Sequence, residues 1–161
     1  MNAPLALRRA TIDDVPAIIA LLADDELGRR REMPDDRDPY DASFAAIDAD
    51  PHQLLVVGES NGDIVATMQL TFIPGMSRRG TWRAQIEGVR VASSARGAGI
   101  GERLIRWAVE QARDRGCALV QLTSDASRTG AHRFYARLGF VASHTGFKLD
   151  LSPADREVRM S

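Results

Sequence analysis

Apolar positions along the chain change period several times, and each change marks an element. Residues 3–9 alternate loosely, as a first edge strand would, with Pro4 suited to an edge. Thr11 to Asp14 then reads as a helix start, with Thr11 as N-cap and Asp14 in the place of a capping-box partner. Pro16 sits in the first turn, where its missing N–H costs little. Ile18, Ile19, Leu21 and Leu22 supply the buried face, and Gly28 is the expected stop. Residues 24–41 break the pattern: they are charged, carry Pro34 and Pro39, and read as a solvated loop. Tyr40 to Ala49 fits a second short helix with Phe44 and Ile47 inward, ended by Asp50-Pro51.

Period two takes over from His52. His52–Glu59 and Ile64–Ile73 read as strands joined at Asn61-Gly62, a strong hairpin turn. After a loop at Pro74–Gly80, a long strand runs from Thr81 to Val91. Helical spacing returns with Leu104, Ile105, Ala108, Val109 and Ala112, and Gly116 closes that helix. Leu119–Thr123 reads as a buried strand, placed parallel to the previous one by the helical crossover. A short helix over Gly130–Leu138 and a closing hairpin of Val141–Ser143 and Phe147–Leu151 complete the expectation, with residues 152–161 a frayed tail.

Composition changes little in this picture. The 161 residues suit one domain with a proper core, and a net charge of −1 with scattered arginines argues against nucleic acid as partner. No run approaches membrane-spanning length, so a cytoplasmic protein without a membrane partner is expected. One cysteine, Cys117, excludes an internal disulfide, and a small buried thiol is its simplest role. His52, His132 and His144 form no metal pattern, and no metal is expected.

The chemistry gathers at Gln85–Gly101. A strand ending in Val89-Arg90-Val91 runs through a short polar turn into Arg96-Gly97-Ala98-Gly99-Ile100-Gly101, and then directly into the amphipathic helix. That order aims free backbone N–H groups and the positive end of a helix dipole at one point, a place for a phosphate or pyrophosphate. The P-loop pattern fails because Glu102-Arg103 follows Gly101 where Lys and Ser or Thr are needed. The dinucleotide fingerprint fails on glycine spacing. What fits is Arg or Gln, two residues, Gly, one residue, then Gly or Ala, met by Arg96, Gly99 and Gly101.

Downstream, Ala131, Phe134, Tyr135, Gly139 and Phe140 stand in a second fixed pattern. With both motifs in hand, residues 52–151 resemble the GNAT superfamily of acetyl-CoA-dependent N-acetyltransferases. The resemblance implies a single α/β (α+β) domain: a mixed, mostly antiparallel sheet with one parallel pair that splays, flanked by helices. It also implies direct acetyl transfer from acetyl-CoA to the primary amine of a small molecule in a ternary complex, without an acyl-enzyme. Acetyl-CoA is then held by Val89, Arg90, Val91, Arg96, Gly97, Ala98, Gly99, Ile100, Gly101, Arg128 and Phe134. Arg128 stands where the family pattern has Asn, and an arginine can meet a phosphate instead.

Such transfer needs a base for the amine, polarisation of the thioester carbonyl and a proton for the departing thiolate. Glu87 is the candidate base, followed by Gly88, which marks a bulge or a close backbone approach. Gln85, on the same strand face, is the alternative position for a base step through water. Tyr135 is the acid that the family motif implies. A strand N–H near Val89 or Arg90 would polarise the carbonyl. Trp82 and Phe72 either line an acceptor pocket or belong to the core. The alternatives to this function are a CoA-binding regulatory module without turnover, another acyl-CoA donor, or a protein amine as acceptor. A homodimer through sheet edges or C-terminal elements would suit the family.

Overall fold

Asn61 and Gly62 both have positive φ, 54° and 86°. A two-residue hairpin of that kind matches the right-handed twist of its strands, and the sheet grows outward from it. A computed structural model describes residues 4–151 of the chain. The expected tail, residues 152–161, lies outside the described residues. Those described form two compact units, one ending at Leu122 and the other beginning at Thr123.

The first unit holds a five-stranded sheet in the order β1 (Ala6–Arg9), β2 (Gln53–Ser60), β3 (Asp63–Pro74), β4 (Trp82–Val91), β5 (Cys117–Leu122). All neighbours are antiparallel except β4 and β5, which are parallel. The crossover between them is α5 (Ile100–Asp114), which ends at Gly116 in the left-handed region (φ 72°). Both the mixed sheet and its single parallel pair are as the sequence implies.

Each face of the sheet has its own cover. Val56, Ala66, Met68, Leu70, Phe72, Ala84 and Ile86 are buried on one face, beneath Leu104, Ile105, Ala108 and Ala112 of α5. Phe72 is therefore a core residue, with the Arg115 guanidinium 4.1 Å above its ring. On the other face, Val57 and Leu55 meet Val15, Ile18 and Ile19 of α1 (Val15–Leu22) and Phe44 of α3 (Asp38–Ala49). Asp14 locks the start of α1. Its carboxylate accepts from Arg8 at 2.7 and 2.9 Å and from the Thr11 amide at 2.8 Å.

Two expectations are corrected in this unit. Gly28 does not stop α1, which ends at Leu22; it lies inside a separate helix, α2 (Glu26–Arg31), where an added Cβ would stand 1.9 Å from the Leu22 carbonyl oxygen. The stretch 24–41 is thus partly helical. Asp25 caps α2 by accepting from the Gly28 amide at 2.6 Å, and acidic Glu26 begins it while Arg29–Arg31 end it, as a helix dipole prefers. The one-turn connection α4 (Ser77–Gly80) puts Arg78 and Arg79 at φ 54° and 63°.

In the second unit, α6 (Thr129–Arg137) is present, but the expected closing hairpin is not. Residues 141–151 form no ladder. Two short segments around His144-Thr145-Gly146 make at most a two-stranded ribbon, which is marginal without a third strand.

Candidate functional site

Along β4 the pairing with β3 passes from Gln69–Glu87 to Thr67–Arg90, so that Gly88 and Val89 together oppose Met68. This is a β-bulge, which leaves one residue outside the ladder. Gly88 has φ 59°, a conformation that glycine adopts without a Cβ penalty. The extra residue returns Arg90 to the face that Glu87 occupies, the one covered by α1 and α3.

β5 accompanies β4 only as far as the Ile86–Leu122 pair. From Glu87 to Val91, β4 has only β3 as ladder partner among the described residues. Glu87 is exposed there. Its Oε1 accepts from Gln85 Nε2 at 2.9 Å, and Gln85 Oε1 accepts from Gln121 Nε2 at 3.0 Å. Gln85 thus serves as a neutral donor to the carboxylate.

Beyond Val91 a 3-10 turn (Ser93–Ala95) leads to the glycines. Gly97 and Gly99 have φ 83° and 73°, and Gly99 is the N-cap of α5. The first bond of the helix runs from Arg103 N–H to Gly99 O at 3.1 Å. The amides of Ile100, Gly101 and Glu102 therefore have no acceptor within the helix. Buried Ile100 anchors the turn from below, while no atom lies within 4 Å of a Cβ built on Gly97 or Gly99. Three donors without an acceptor in the helix, at the positive end of a 15-residue helix, make an arrangement suited to an anion, a candidate anion cradle.

The cradle is fastened from a place the sequence left as solvated charge. Asp24 Oδ2 accepts from the Ser93 amide at 2.9 Å and stands 3.8 Å from Arg96 Nη2. The Ser93 amide, helped by Arg96, holds the Asp24 carboxyl below the usual carboxylate range. Asp25 Oδ2 lies 3.3 Å from Nε of Arg90. Arg96 also donates to the Val91 carbonyl at 3.2 Å. Trp82 is at the opposite end of β4, tilted against His52 with ring centroids 5.2 Å apart. Cys117 opens β5, and burial pushes its thiol pKa up against a weaker pull from Arg115.

In the second unit, the Phe-Tyr and Gly-Phe pairs of the downstream motif form one local device. α6 ends with Gly139 N–H on Ala136 O and Phe140 N–H on Tyr135 O, both at 3.1 Å, and Gly139 has φ 93°. This is a Schellman cap. The Tyr135 and Phe140 rings meet edge-on at 5.8 Å, and Phe134 meets Tyr135 edge-on at 5.1 Å. Arg128 is the N-cap residue of α6, its carbonyl accepting from the His132 amide at 3.1 Å. Among the described residues no cluster of His, Cys, Asp or Glu could hold a metal, and no helix is long and apolar enough to cross a membrane.

Comparison with known proteins adds to this geometry. The model of the acetyltransferase (GNAT) family matches residues 17–140. An aminoalkylphosphonate N-acetyltransferase of Salmonella typhimurium (strain LT2) is 33% identical over 141 residues, 88% of this chain and 88% of that protein. Glucosamine 6-phosphate N-acetyltransferase 1 of Oryza sativa subsp. japonica is 37% identical over 98 residues, 61% of this chain and 58% of that one. Among solved structures, one described as a transcriptional regulator from Bacillus halodurans C-125 superposes with a TM-score of 0.88 at 44% identity, over 92% of this chain and all (100%) of that one.

Proposed function

The chain belongs to the GNAT acetyltransferase family and is an N-acetyltransferase; from that premise we propose that it moves the acetyl group of acetyl-CoA directly to the primary amine of a small molecule that also carries a phosphonate or phosphate. The observation that carries this reading is the succession, along one stretch of chain, of an exposed carboxylate on β4 and a glycine-lined helix start at α5. Between Glu87 and the amides of Ile100–Glu102 the chain passes the bulge, the end of β4, a short turn and the Arg96–Gly99 run. The acceptor class rests on the Salmonella relative, which matches over most of both chains. Both units are read as parts of one domain, since the family match runs through Leu122.

The residues present suit the donor. The amides following Gly99 would hold the pyrophosphate, with Arg96, Gly97 and Ala98 completing the turn. The open side of β4 at Val89, Arg90 and Val91 would pair with pantetheine amides. Arg128 and Phe134 are assigned to the same ligand on the strength of the motif they share. When bound, acetyl-CoA supplies an activated acyl thioester.

Glu87 accepts a proton from the acceptor ammonium, directly or through one water. The neutral amine nitrogen then bonds to the acyl carbon as the carbon–sulfur bond breaks. A β4 N–H at the bulge stabilises the carbonyl oxygen as it gains charge. The proton for the departing thiolate is assigned to Tyr135 on the strength of the family motif alone, and the nitrogen's remaining excess proton is lost to solvent.

Free-thiol release from acetyl-CoA, measured across aminoalkylphosphonates, amino-sugar phosphates, polyamines, amino acids and a lysine peptide, tests the reading. Turnover is expected with the phosphorus-bearing amines, falling about 100-fold in Glu87→Gln, the lower end for loss of a general base. Undiminished turnover in Tyr135→Phe with every amine would remove the acid assignment. No turnover with any amine, alongside thermal stabilisation by acetyl-CoA, would favour a CoA-binding regulator. That outcome would accord with the description of the Bacillus halodurans structure.

A further inference from the structure

Glu87 stands at the end of an amide chain that crosses from β5 to β4: Gln121 donates to Gln85, and Gln85 donates to Glu87. We infer that Gln85 and Gln121 are positioning residues for the base, holding the Glu87 carboxylate in the orientation that meets the incoming amine. The inference rests on the reading of Glu87 as that base.

Donor chemistry gives the chain its direction. A carboxylate only accepts, so Gln85 must turn its NH2 toward Glu87. The amide is planar, so its carbonyl oxygen then points the other way. Only a donor can satisfy that oxygen, and Gln121 places an NH2 3.0 Å from it. Gln121 thereby fixes which end of Gln85 faces the carboxylate. The neighbouring strand does not substitute: Gln69 is opposite Glu87 on β3, but its Nε2 is given to Gln53 Oε1 at 2.9 Å.

Packing does not call for this arrangement. Ala84 and Ile86, which alternate with Gln85, are the residues of this part of β4 that fill the core. Gln85 and Gln121 lie on the other face and spend their polar ends on a line that leads to Glu87. An exposed carboxylate on a strand turns among rotamers. A charge-assisted hydrogen bond from a donor that cannot rotate away selects among them.

The test uses the full-length enzyme with acetyl-CoA and the fastest amine of the panel, an aminoalkylphosphonate on the reading above. Gln85→Met removes the donor at similar volume. It is expected to lower kcat about 10-fold, the scale of one charge-assisted bond, with KM for acetyl-CoA unchanged. In the Glu87→Gln background the same change should add nothing, because its effect passes through the carboxylate.

Gln121→Glu and Gln121→Met separate positioning from packing. A glutamate side chain at 121 can only accept, so it competes with Glu87 for the single NH2 end of Gln85 and leaves the Gln85 carbonyl oxygen without a donor. The isosteric Gln121→Glu should therefore lower kcat more than Gln121→Met does, the reverse of what a packing role predicts. Unchanged kcat in Gln85→Met and Gln121→Glu, with Glu87→Gln crippled, overturns the inference and leaves the base reading intact. Full additivity of Gln85→Met with Glu87→Gln also overturns it. Wild-type turnover in Glu87→Gln overturns the base reading itself, and the inference falls with it. Equal thermal midpoints across the variants exclude misfolding as the cause.

Discussion

Arg90 and Asp25 lie on different elements, yet Nε of one is 3.3 Å from Oδ2 of the other, with 17% and 24% of their side chains exposed. The pair joins the corner between α1 and α2 to the end of β4, where the strand leaves its bulge. Asp25 also caps α2 through the Gly28 amide. Asp25→Ala removes a cap and leaves a largely buried guanidinium without its carboxylate. The expected loss is about 2 to 3 kcal/mol, from roughly 1 for the cap and the remainder for the orphaned charge, discounted from a fully buried pair. Urea denaturation at neutral pH measures it. Asp25→Asn, which can still cap, should recover about half.

Gly88 holds the bulge with φ 59°. The nearest atom to an added Cβ is Leu22 Cδ2 at 3.9 Å, so Gly88→Ala meets no clash and costs only the backbone strain, about 1 kcal/mol. Its effect on turnover should be larger than on stability. Relaxing the bulge would rotate Arg90 off the face it shares with Glu87. A fall in kcat of about 10-fold or more is expected, with a thermal midpoint only a few degrees lower. Equal losses in stability and activity would deny the bulge a catalytic role.

Most of the strands were legible because alternation, the Asn61-Gly62 turn and the glycine run are local signals. The fastening of the cradle was not. Asp24 and Ser93 are 69 positions apart, and nothing in the charge pattern of 24–41 distinguishes the two aspartates that reach the end of β4 and the turn after it from those that do not. A local signal for α2 was present in Asp25-Glu26 followed by Arg29–Arg31, but the prolines nearby obscured it. The bulge was foreshadowed by Gly88. Its consequence, Arg90 and Glu87 on one face, needed the register with β3. The amide chain to Gln121 needed the parallel register of β5 as well. Tyr135 is a different case: its motif was visible, and the structure supplies the reason Gly139 and Phe140 follow it, in the cap that ends α6.

Acid stability should depend on Asp14. Hydrogen bonds from Arg8, followed by the Thr11 amide, outweigh burial and hold this carboxyl below the usual range, while Arg8 is pushed up and stays charged. A depressed pKa contributes stability above the unfolded carboxylate value, about 3.9, and that contribution is lost as pH falls through the folded value. Asp14→Asn should cost about 2 kcal/mol at pH 7, as for a charged hydrogen-bond network with one partly exposed member. The gap between wild type and variant should then close as pH drops below 4. A gap that stays constant from pH 7 to pH 3 would mean that the charge of Asp14 contributes nothing.

Two left-handed glycines at opposite ends of α5 provide a controlled test of the cradle. Gly99 precedes the helix with φ 73°, Gly116 follows it with φ 72°, and neither has an atom within 4 Å of a built Cβ. Asparagine tolerates this conformation better than other residues with a side chain, so Gly99→Asn and Gly116→Asn should cost similar, small amounts of stability. They should differ in acetyl-CoA affinity. At 99 the side chain stands among the amides of Ile100, Gly101 and Glu102, where a pyrophosphate would need close backbone approach. At 116 it stands at the far, negative end of the helix. A rise in Kd of 10-fold or more is expected for Gly99→Asn, at least 1.4 kcal/mol, and none for Gly116→Asn, read by titration calorimetry. Equal affinities in the two variants would place the pyrophosphate somewhere other than the glycine turn.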